Sequence, residues 1–190
     1  MKIALIMLAA GNSRRFGSNK LLYRIDGKPM YRHILEKLMT VANDPESITV
    51  VTQYEEIEQA ARTLGTNVYI NPHPDEGISS SLKIGLKANV DADACLFTVS
   101  DQPWLTVETI HQLIDLLKTS KKGIACVSCE GKLGNPCIFT KKYYEELLSV
   151  TGDRGGKSVI TTHRNDTAVL KVNDVKELTD MDIPTDQKRM

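Results

Sequence analysis

The sequence predicts a three-layer α/β fold whose central sheet is doubly wound and mostly parallel. Two observations predict it. Seven apolar runs of strand length recur along the chain, and several are continuous rather than alternating, as in strands that are buried on both faces. Stretches with the apolar spacing of amphipathic helices lie between these runs. The runs are Ile3–Leu8, Ile48–Thr52, Val68–Ile70, Ala94–Val99, Ile124–Val127, Cys137–Phe139 and Ala168–Val172.

Four helices are predicted from apolar residues that recur every three or four positions. Two longer stripes run from Met30 to Val41 and from Val107 to Leu117, and two shorter ones lie around Leu82 and around Leu147. Because strands and helices alternate along the 190 residues, we expect one domain over residues 1–190. Ligands bind beyond the carboxyl ends of the strands in such sheets, so the segments that follow strands are the candidate sites.

Composition and motif spacing argue against several classes of function. Lys plus Arg and Asp plus Glu both total 24, so the chain lacks the positive field of nucleic-acid-binding proteins. The apolar run that ends at Ala10 is far shorter than the roughly 20 residues of a membrane span. Cys126-Val-Ser-Cys129 has no partner motif for a zinc site, and the four histidines show no ligand spacing. We therefore expect a cytoplasmic protein with no nucleic-acid or membrane partner.

The loop after the first strand has the chemistry of a polyphosphate site. It reads Leu8-Ala-Ala-Gly-Asn-Ser-Arg-Arg-Phe-Gly-Ser-Asn-Lys20. Small residues let the backbone approach a ligand, backbone N–H groups can donate to anionic oxygens, and Arg15 and Lys20 can neutralise them. The loop matches neither a Walker A motif nor a Gly-x-Gly-x-x-Gly fingerprint. The alternative is a surface turn that happens to be basic.

Two aspartates are candidate ligands for Mg²⁺. Asp101 directly follows the fourth predicted strand, and Pro103 prevents that strand from continuing. Mg²⁺ prefers one or two carboxylates together with phosphate oxygens and water, so a single aspartate beside a triphosphate is sufficient. Asp182 is a second candidate near the C-terminal end. The alternatives are an Asx turn or helix cap for Asp101 and a solvated tail for Asp182.

Polar segments later in the chain suggest further contacts. Ser79 is predicted to cap the helix that contains Leu82. The segment Gly134-Asn135-Pro136, between two later strands, and the segment Gly152–Lys157 are predicted as glycine-rich turns. The second mixes one acid, two bases and three glycines before a helical stretch, so it has the composition to receive a phosphate, although each segment can equally be only a turn.

The N-terminal loop resembles the opening signature of the MobA-like nucleotidyltransferases, and within them the molybdenum cofactor cytidylyltransferases. The pattern is Leu8-Ala-Ala-Gly-x-Ser-x-Arg-x-Gly-x-x-Lys20, followed by Gly27-Lys-Pro-Met30. Later motifs continue the resemblance in order over nearly the whole chain. They are Glu76-Gly-Ile-Ser-Ser-Ser-Leu82, Ser100-Asp-Gln-Pro103, Gly134-Asn-Pro136, Gly152-Asp-Arg-Gly155 and Asp180-Met-Asp-Ile-Pro-Thr-Asp186. The resemblance implies a Rossmann-like nucleotidyltransferase fold.

The resemblance also implies a role for each matched residue. The nucleotide would be held by Leu8, Ala9, Ala10, Gly11, Arg15, Lys20, Ser80 and Ser81. Lys20, Arg15 and Asp101 would be catalytic, with Asp101 and Asp182 as ligands of the Mg²⁺ cofactor. The acceptor would be bound by Asn135, Asp153, Arg154 and Gly155. Phe16 and Asn135 depart from the family pattern, which has methionine at the first position and often histidine or arginine at the second.

The implied reaction transfers CMP from CTP to a phosphorylated pterin, molybdopterin carrying molybdenum. Ala10 favours CTP, since the guanylyl branch of the family has glycine there. A molybdoenzyme or its chaperone is the expected receiver of the product. The alternatives are the use of GTP, a sugar-phosphate or alditol-phosphate acceptor, and a non-catalytic molybdenum cofactor carrier.

Overall fold

The structure is a computed structural model that describes residues 1–12, 19–44 and 47–181. Seven strands form one sheet in the order β5-β4-β1-β6-β8-β7-β9, and two short strands form a separate hairpin, β2-β3. The strands are β1 (Ile3–Ala9), β2 (Arg24–Ile25), β3 (Lys28–Pro29), β4 (Ile48–Thr52), β5 (Asn67–Ile70), β6 (Ala94–Val99), β7 (Ile124–Cys129), β8 (Lys132–Thr140) and β9 (Thr167–Lys171).

Six α-helices cover the two faces of the large sheet. They are α1 (Met30–Val41), α2 (Glu55–Thr63), α3 (Ile78–Lys87), α4 (Val107–Ser120), α5 (Tyr144–Ser149) and α6 (Lys157–Thr162). One buried cluster packs α1, α2 and α4 against alternate strand residues such as Leu5 and Met7. A second cluster packs α3, α5 and α6 against Ala4, Ile6 and Leu8. The alternation of side chains along β1 thus serves both cores and explains its continuous apolar run.

The sheet is mostly parallel, as predicted. β8 is the exception, because it pairs antiparallel with both β6 and β7. Cys137 of β8 lies opposite Phe97 of β6, so the first residues of β8 run past the carboxyl end of β6. The carboxyl ends of β1, β4, β5 and β6 and the start of β8 therefore share one edge of the sheet, which we call the carboxyl edge. Loops at this edge carry the predicted site residues.

The predicted elements are all present, with two corrections and three additions. Gly134–Pro136 is not a turn but part of β8, and the chain reverses earlier at Glu130 and Gly131, which both have positive φ. Ser79 does not cap α3; Gly77 occupies that position with φ +84°. Helices α2 and α6 and the hairpin β2-β3 were not predicted. No helix among the described residues is long and apolar enough to cross a membrane.

Candidate active site

The loop after β1 is held by the three residues that end and follow β4. Thr52 Oγ1 donates to the Ala9 carbonyl at 3.0 Å, Gln53 Nε2 to the Ala10 carbonyl at 2.8 Å, and the Tyr54 hydroxyl to the Gly11 carbonyl at 2.6 Å. The Gln53 amide also reaches Asn12 Oδ1 at 2.8 Å. The carbonyl groups of Ala9, Ala10 and Gly11 thus all point toward the carboxyl end of β4.

Fixing these carbonyls also orients the N–H groups of the loop. In a trans peptide the C=O and the N–H of one unit point in opposite directions. The N–H groups of Ala10, Gly11 and Asn12 therefore point away from β4. A Cβ added at Gly11 would meet no atom of the described residues within 4 Å, so those residues leave the space above Gly11 open. The geometry is that of a backbone cradle for an anion.

Lys20 and Asp101, which are 81 residues apart in sequence, form an ion pair at this edge. Lys20 Nζ lies 2.7 Å from Asp101 Oδ2, and the two side chains are 12% and 22% exposed. Lys20 begins a short 3-10 turn whose preceding residue, Asn19, accepts a hydrogen bond from the Leu21 N–H. Asp101 lies two residues after the end of β6. Two of the predicted catalytic residues are therefore in contact, with most of their surface withdrawn from solvent.

A segment near the C-terminus, which we call the C-terminal strap (Asp174–Met181), is fastened to the loop that carries Asp101. The Met181 N–H donates to the Asp101 carbonyl at 2.8 Å. The buried Gln102 amide donates to the Leu178 carbonyl at 3.2 Å and to Asp180 Oδ1 at 2.8 Å. Glu177 Oε2 accepts from the Thr106 N–H and hydroxyl and from the Thr109 hydroxyl at 2.6 to 3.1 Å. The strap ends beside the backbone of Asp101.

The serines of α3 lie in its first turn and are held by Asn71, which follows β5. Asn71 Nδ2 donates to Ser80 Oγ and to Ser81 Oγ, each at 2.8 Å. Both serines and Asn71 are buried. Ser79 is buried as well, and its hydroxyl lies 3.5 Å from the Glu76 carbonyl rather than on a free N–H group of the helix. The predicted capping role of Ser79 is therefore wrong, because Gly77 makes the turn into the helix.

The segment Gly152–Gly155, which we call the acceptor loop because three of its residues are predicted to bind the acceptor, packs against the start of α3. A Cβ at Gly77 would lie 2.4 Å from Asp153 Oδ1 and 2.6 Å from the Gly152 carbonyl carbon. A Cβ at Gly155 would lie 3.1 Å from Ile78 Cγ2. Asp153 and Arg154 are exposed, and Asn135 is half-buried at the start of β8. The structure thus joins the acceptor loop to the serine segment by backbone contact.

Two predicted site residues, Arg15 and Asp182, lie outside the described residues. The sequence analysis missed Gln53 and Asn71, and it read Gln102 only as part of a strand end. Gln53 and Asn71 are amide side chains directly after β4 and β5, and Gln102 lies three residues after the end of β6. Their position after strands is the signal that could have identified them.

Three buried cysteines belong to the second core, and Cys137 Sγ also contacts Asn135 Oδ1 at 3.6 Å. Burial raises the pKa of the Cys126 thiol to about 11 and that of Cys95, which contacts the Tyr144 hydroxyl, also to about 11. Cys137, paired with Cys126 across β7 and β8, likewise has its pKa raised by burial. These thiols are protonated at neutral pH, so they pack as apolar groups.

The donor set at the carboxyl edge fits a cation that is bound together with phosphates. Asp101 is a single carboxylate at a strand end, and in the described part of the chain no donor reaches its Oδ1 atom. Those same residues contain no group of three or more His, Cys, Asp or Glu that could enclose a metal ion. Mg²⁺ is commonly held by one or two carboxylates and substrate phosphates, whereas a structural zinc site needs a full set of protein ligands.

Several solved structures share this fold. Rv0371c from Mycobacterium tuberculosis H37Rv superposes with a TM-score of 0.83 at 22% identity, covering 100% of this chain and 96% of that one. The molybdopterin-guanine dinucleotide biosynthesis protein A from Archaeoglobus fulgidus superposes with a TM-score of 0.72 at 15% identity over 98% of this chain and 95% of that one. These similarities establish the Rossmann-like nucleotidyltransferase fold.

Similar sequences include named archaeal and bacterial proteins. The "Probable molybdenum cofactor guanylyltransferase" of Pyrococcus horikoshii is 32% identical over 130 residues, which cover 67% of this chain and 62% of that protein. The match therefore spans about three fifths of the length of that relative. The purine catabolism protein PucB of Bacillus subtilis is 24% identical over 189 residues, 94% of this chain and 91% of that protein.

A family comparison covers most of the chain. Residues 5–168 match the family described as the MobA-like NTP transferase domain. The matched residues include most of β1, the loop that follows it, Lys20, Asp101 and the acceptor loop. The protein belongs to the MobA-like NTP transferase domain family.

Proposed function

We propose that residues 1–190 form one nucleotidyltransferase domain that transfers CMP from CTP to the terminal phosphate of molybdopterin carrying molybdenum. An oxygen of the acceptor phosphate forms a bond to the α-phosphorus, and the bond from the α-phosphorus to the bridging oxygen breaks to release pyrophosphate. The observation that carries this proposal is the Lys20–Asp101 ion pair beside a loop whose N–H groups point away from its supporting strand.

The chain's own groups act mainly by position and charge. The N–H groups that follow Ala9, Ala10 and Gly11 hold the phosphates. The Lys20 ammonium, which contacts Asp101, is proposed to donate to an α-phosphate oxygen. Arg15 is proposed to neutralise the leaving phosphates. No covalent nucleophile is required, because each group stabilises charge that the transfer itself creates or moves.

The proposed cofactor is Mg²⁺. When bound, the cation would neutralise the triphosphate and withdraw electrons from the α-phosphorus. Asp101 is proposed to hold it, with Asp182 as the second ligand. The strap supports this assignment, because Met181, the residue before Asp182, is hydrogen-bonded to the Asp101 backbone.

The choice of base rests on Ala10. The resemblance supports CTP, because the cytidylyl branch of the family has alanine at this position and the guanylyl branch has glycine. GTP is the second candidate, and the names of the archaeal relatives favour it. An Ala10→Gly variant tests this difference directly, because it removes the methyl group while the Gln53 hydrogen bond to the backbone carbonyl can remain.

The test is pyrophosphate release with CTP or GTP and molybdenum-loaded molybdopterin as acceptor. We expect wild-type protein to prefer CTP, and Ala10→Gly to shift the ratio of kcat/KM values toward GTP. A wild-type preference for GTP would overturn the base assignment and leave the nucleotidyl transfer intact. Pyrophosphate release with a sugar phosphate but not with the pterin would identify a sugar-phosphate nucleotidyltransferase. Tight pterin binding without pyrophosphate release from any nucleotide would identify a carrier.

A further inference from the structure

The main chain of Asp101 is held by the C-terminal strap rather than by the sheet. Pairing between β1 and β6 ends at Val99, and the last contact with β1 is made by Ser100, whose N–H and hydroxyl both donate to the Leu8 carbonyl. The Asp101 carbonyl instead accepts a hydrogen bond from the Met181 N–H at 2.8 Å. The position of the Asp101 main chain therefore depends on where this part of the strap lies.

Gln102 fixes the strap at the residues that lead into Met181. Its Nε2 atom donates to the Leu178 carbonyl at 3.2 Å and to Asp180 Oδ1 at 2.8 Å. A carbonyl and an ionised carboxylate can only accept, so these contacts identify the nitrogen of the amide and use both of its protons. Gln102 is only 4% exposed, and a buried amide without acceptors costs free energy. Gln102 and the strap therefore stabilise each other's positions.

The strap is also fastened at a second place, the start of α4. Glu177 Oε2 accepts from the Thr109 hydroxyl at 2.6 Å, and Lys176 Nζ lies 5.1 Å from the centre of the Trp104 ring. These contacts do not involve the main chain of Asp101. A change at the α4 fastening should therefore reduce stability without moving Asp101, whereas a change at the Gln102 fastening should do both.

We infer that Gln102 is a positioning residue that holds the Asp101 carboxylate in place through the strap and the Met181 N–H. This inference rests on the proposed function, since it requires that Asp101 bind a cation beside a nucleotide. Asp101 Oδ2 lies 2.7 Å from Lys20 Nζ, so a shift of the Asp101 main chain changes its distance to the lysine and to the cation together. A displacement of about 1 Å can lower turnover about a hundredfold. The role of Gln102 requires no contact with the nucleotide or the metal.

Gln102→Met and Thr109→Val form a matched pair that tests this role. Gln102→Met keeps the length of the side chain and removes both N–H donors, and Thr109→Val removes the hydroxyl that donates to Glu177 at nearly the same size. We expect both variants to have a lower melting temperature. Only Gln102→Met should lower kcat, by at least about tenfold. Thermal unfolding and pyrophosphate release measure the two quantities.

A second measurement detects the position of Asp101 without turnover. It uses an analogue of the preferred nucleotide in which a methylene group joins the α- and β-phosphorus, so that pyrophosphate cannot be released. Calorimetry gives its dissociation constant without and with Mg²⁺, and the ratio of the two constants is the contribution of the metal to binding. In Gln102→Met we expect the metal-free constant to change less than about twofold and the ratio to fall at least about fivefold. Both quantities should stay near the wild-type values in Thr109→Val.

Asp180→Ala provides a second variant of the same fastening. Asp180 is exposed, and its removal takes away one of the two acceptors of the Gln102 amide. We expect a smaller loss of kcat and a smaller fall of the ratio, in the same direction as in Gln102→Met. If Gln102→Met does not fold, unchanged kcat and ratio in Asp180→Ala contradict the inference.

Three other results would overturn the inference. Wild-type kcat and ratio in folded Gln102→Met would make Gln102 a purely structural residue. An equal loss of kcat in Thr109→Val would show that the strap acts as a whole. A metal-free constant that rises as much as the constant with Mg²⁺ would show a general loss of nucleotide binding. A wild-type protein that binds neither CTP nor GTP would instead contradict the proposed function, so the two failures are distinguishable.

Discussion

Asp101 and Asp166 are aspartates at opposite ends of the same sheet, and their surroundings differ. Asp166 precedes β9 and accepts three hydrogen bonds, from the Tyr143 hydroxyl at 2.6 Å, from Lys142 Nζ at 2.9 Å and from the Gly123 N–H at 3.1 Å. Asp101 follows β6 and accepts one from Lys20 at Oδ2, and within the described ranges no donor approaches Oδ1. One carboxylate is saturated by the protein, and the other retains lone pairs.

This difference separates a structural carboxylate from one available to a ligand. Hydrogen bonds from Tyr143 and Lys142 lower the pKa of Asp166 to about 2, so its charge is used to join β7, β8 and β9 at the amino end of the sheet. Asp101 has its free oxygen at the edge where ligands of such sheets bind. The contrast predicts that a change at Asp101 affects turnover, whereas a change at Asp166 affects stability.

Asp101→Asn should produce the largest loss of activity. The amide keeps the size of the side chain but removes the charge and one good oxygen ligand, so we expect turnover to fall at least about a hundredfold. The melting temperature should stay near that of the wild type, because the backbone contact with Met181 does not involve the side chain. Pyrophosphate release and thermal unfolding measure the two quantities.

A Mg²⁺ series is the control for this variant. Additional metal restores occupancy but not the position of the cation, so only part of the lost turnover should return. Wild-type turnover in a folded Asp101→Asn protein would make Asp101 a turn residue and remove the contrast with Asp166.

Lys20→Ala should have the next largest effect. Removing the ammonium deletes charge where it develops in the transition state and leaves Asp101 without its described partner. We therefore expect kcat to fall more than nucleotide affinity, measured by single-turnover kinetics and by calorimetry. Equal losses in kcat and affinity would contradict a transition-state role for Lys20.

Gly77→Ala tests whether close packing between the start of α3 and the acceptor loop stabilises the carboxyl edge of the sheet. Gly77 has φ +84°, and the added methyl group would collide with Asp153 and the Gly152 backbone. Such a conformation costs an ordinary residue about 1–3 kcal/mol, and the acceptor loop must shift in addition. We expect a lower melting temperature and a raised KM for the acceptor. Gly11→Ala is the matched control, since its Cβ would meet no atom of residues 1–12, 19–44 and 47–181 within 4 Å, and we expect an unchanged melting temperature.

Much of this arrangement could be predicted from the sequence, because buried strands leave continuous apolar runs. β4 and β6 begin and end at the predicted residues, Ile48–Thr52 and Ala94–Val99. Helix α2 was missed because it buries only Ile57 and Ala61, too few residues for a periodic stripe. The turn predicted at Gly134–Pro136 was wrong because glycine and proline also occur where a strand is irregular, and β7 and β8 change register there.

The site was predicted residue by residue but not as a network. Lys20 and Asp101 were both named, yet their contact depends on the sheet order, which places β1 beside β6. Asn71, Gln53 and Gln102 act through hydrogen bonds to groups distant in sequence, and local patterns do not show those partners. Ser79 was assigned the cap because serine is favoured there, although the positive φ at this position requires glycine.

Asp166→Asn should have the smallest effect on turnover and a clear effect on stability. The variant loses the charge that the Tyr143 hydroxyl, Lys142 and the Gly123 N–H share, at the end of the sheet away from the site. The pKa of Asp166 is lowered from 3.8 to about 2 in the folded protein, so its contribution to stability is fully present above pH 3.8 and is lost as the pH falls through about 2. The difference in melting temperature between wild type and variant should therefore be constant near neutral pH and shrink in acid.

Thermal unfolding across a pH series measures this difference, and pyrophosphate release by the variant at neutral pH should match that of the wild type. A difference in melting temperature as large near pH 2 as at neutral pH would show that shape rather than charge stabilises this end. A large loss of turnover would show that the two ends of the sheet are coupled.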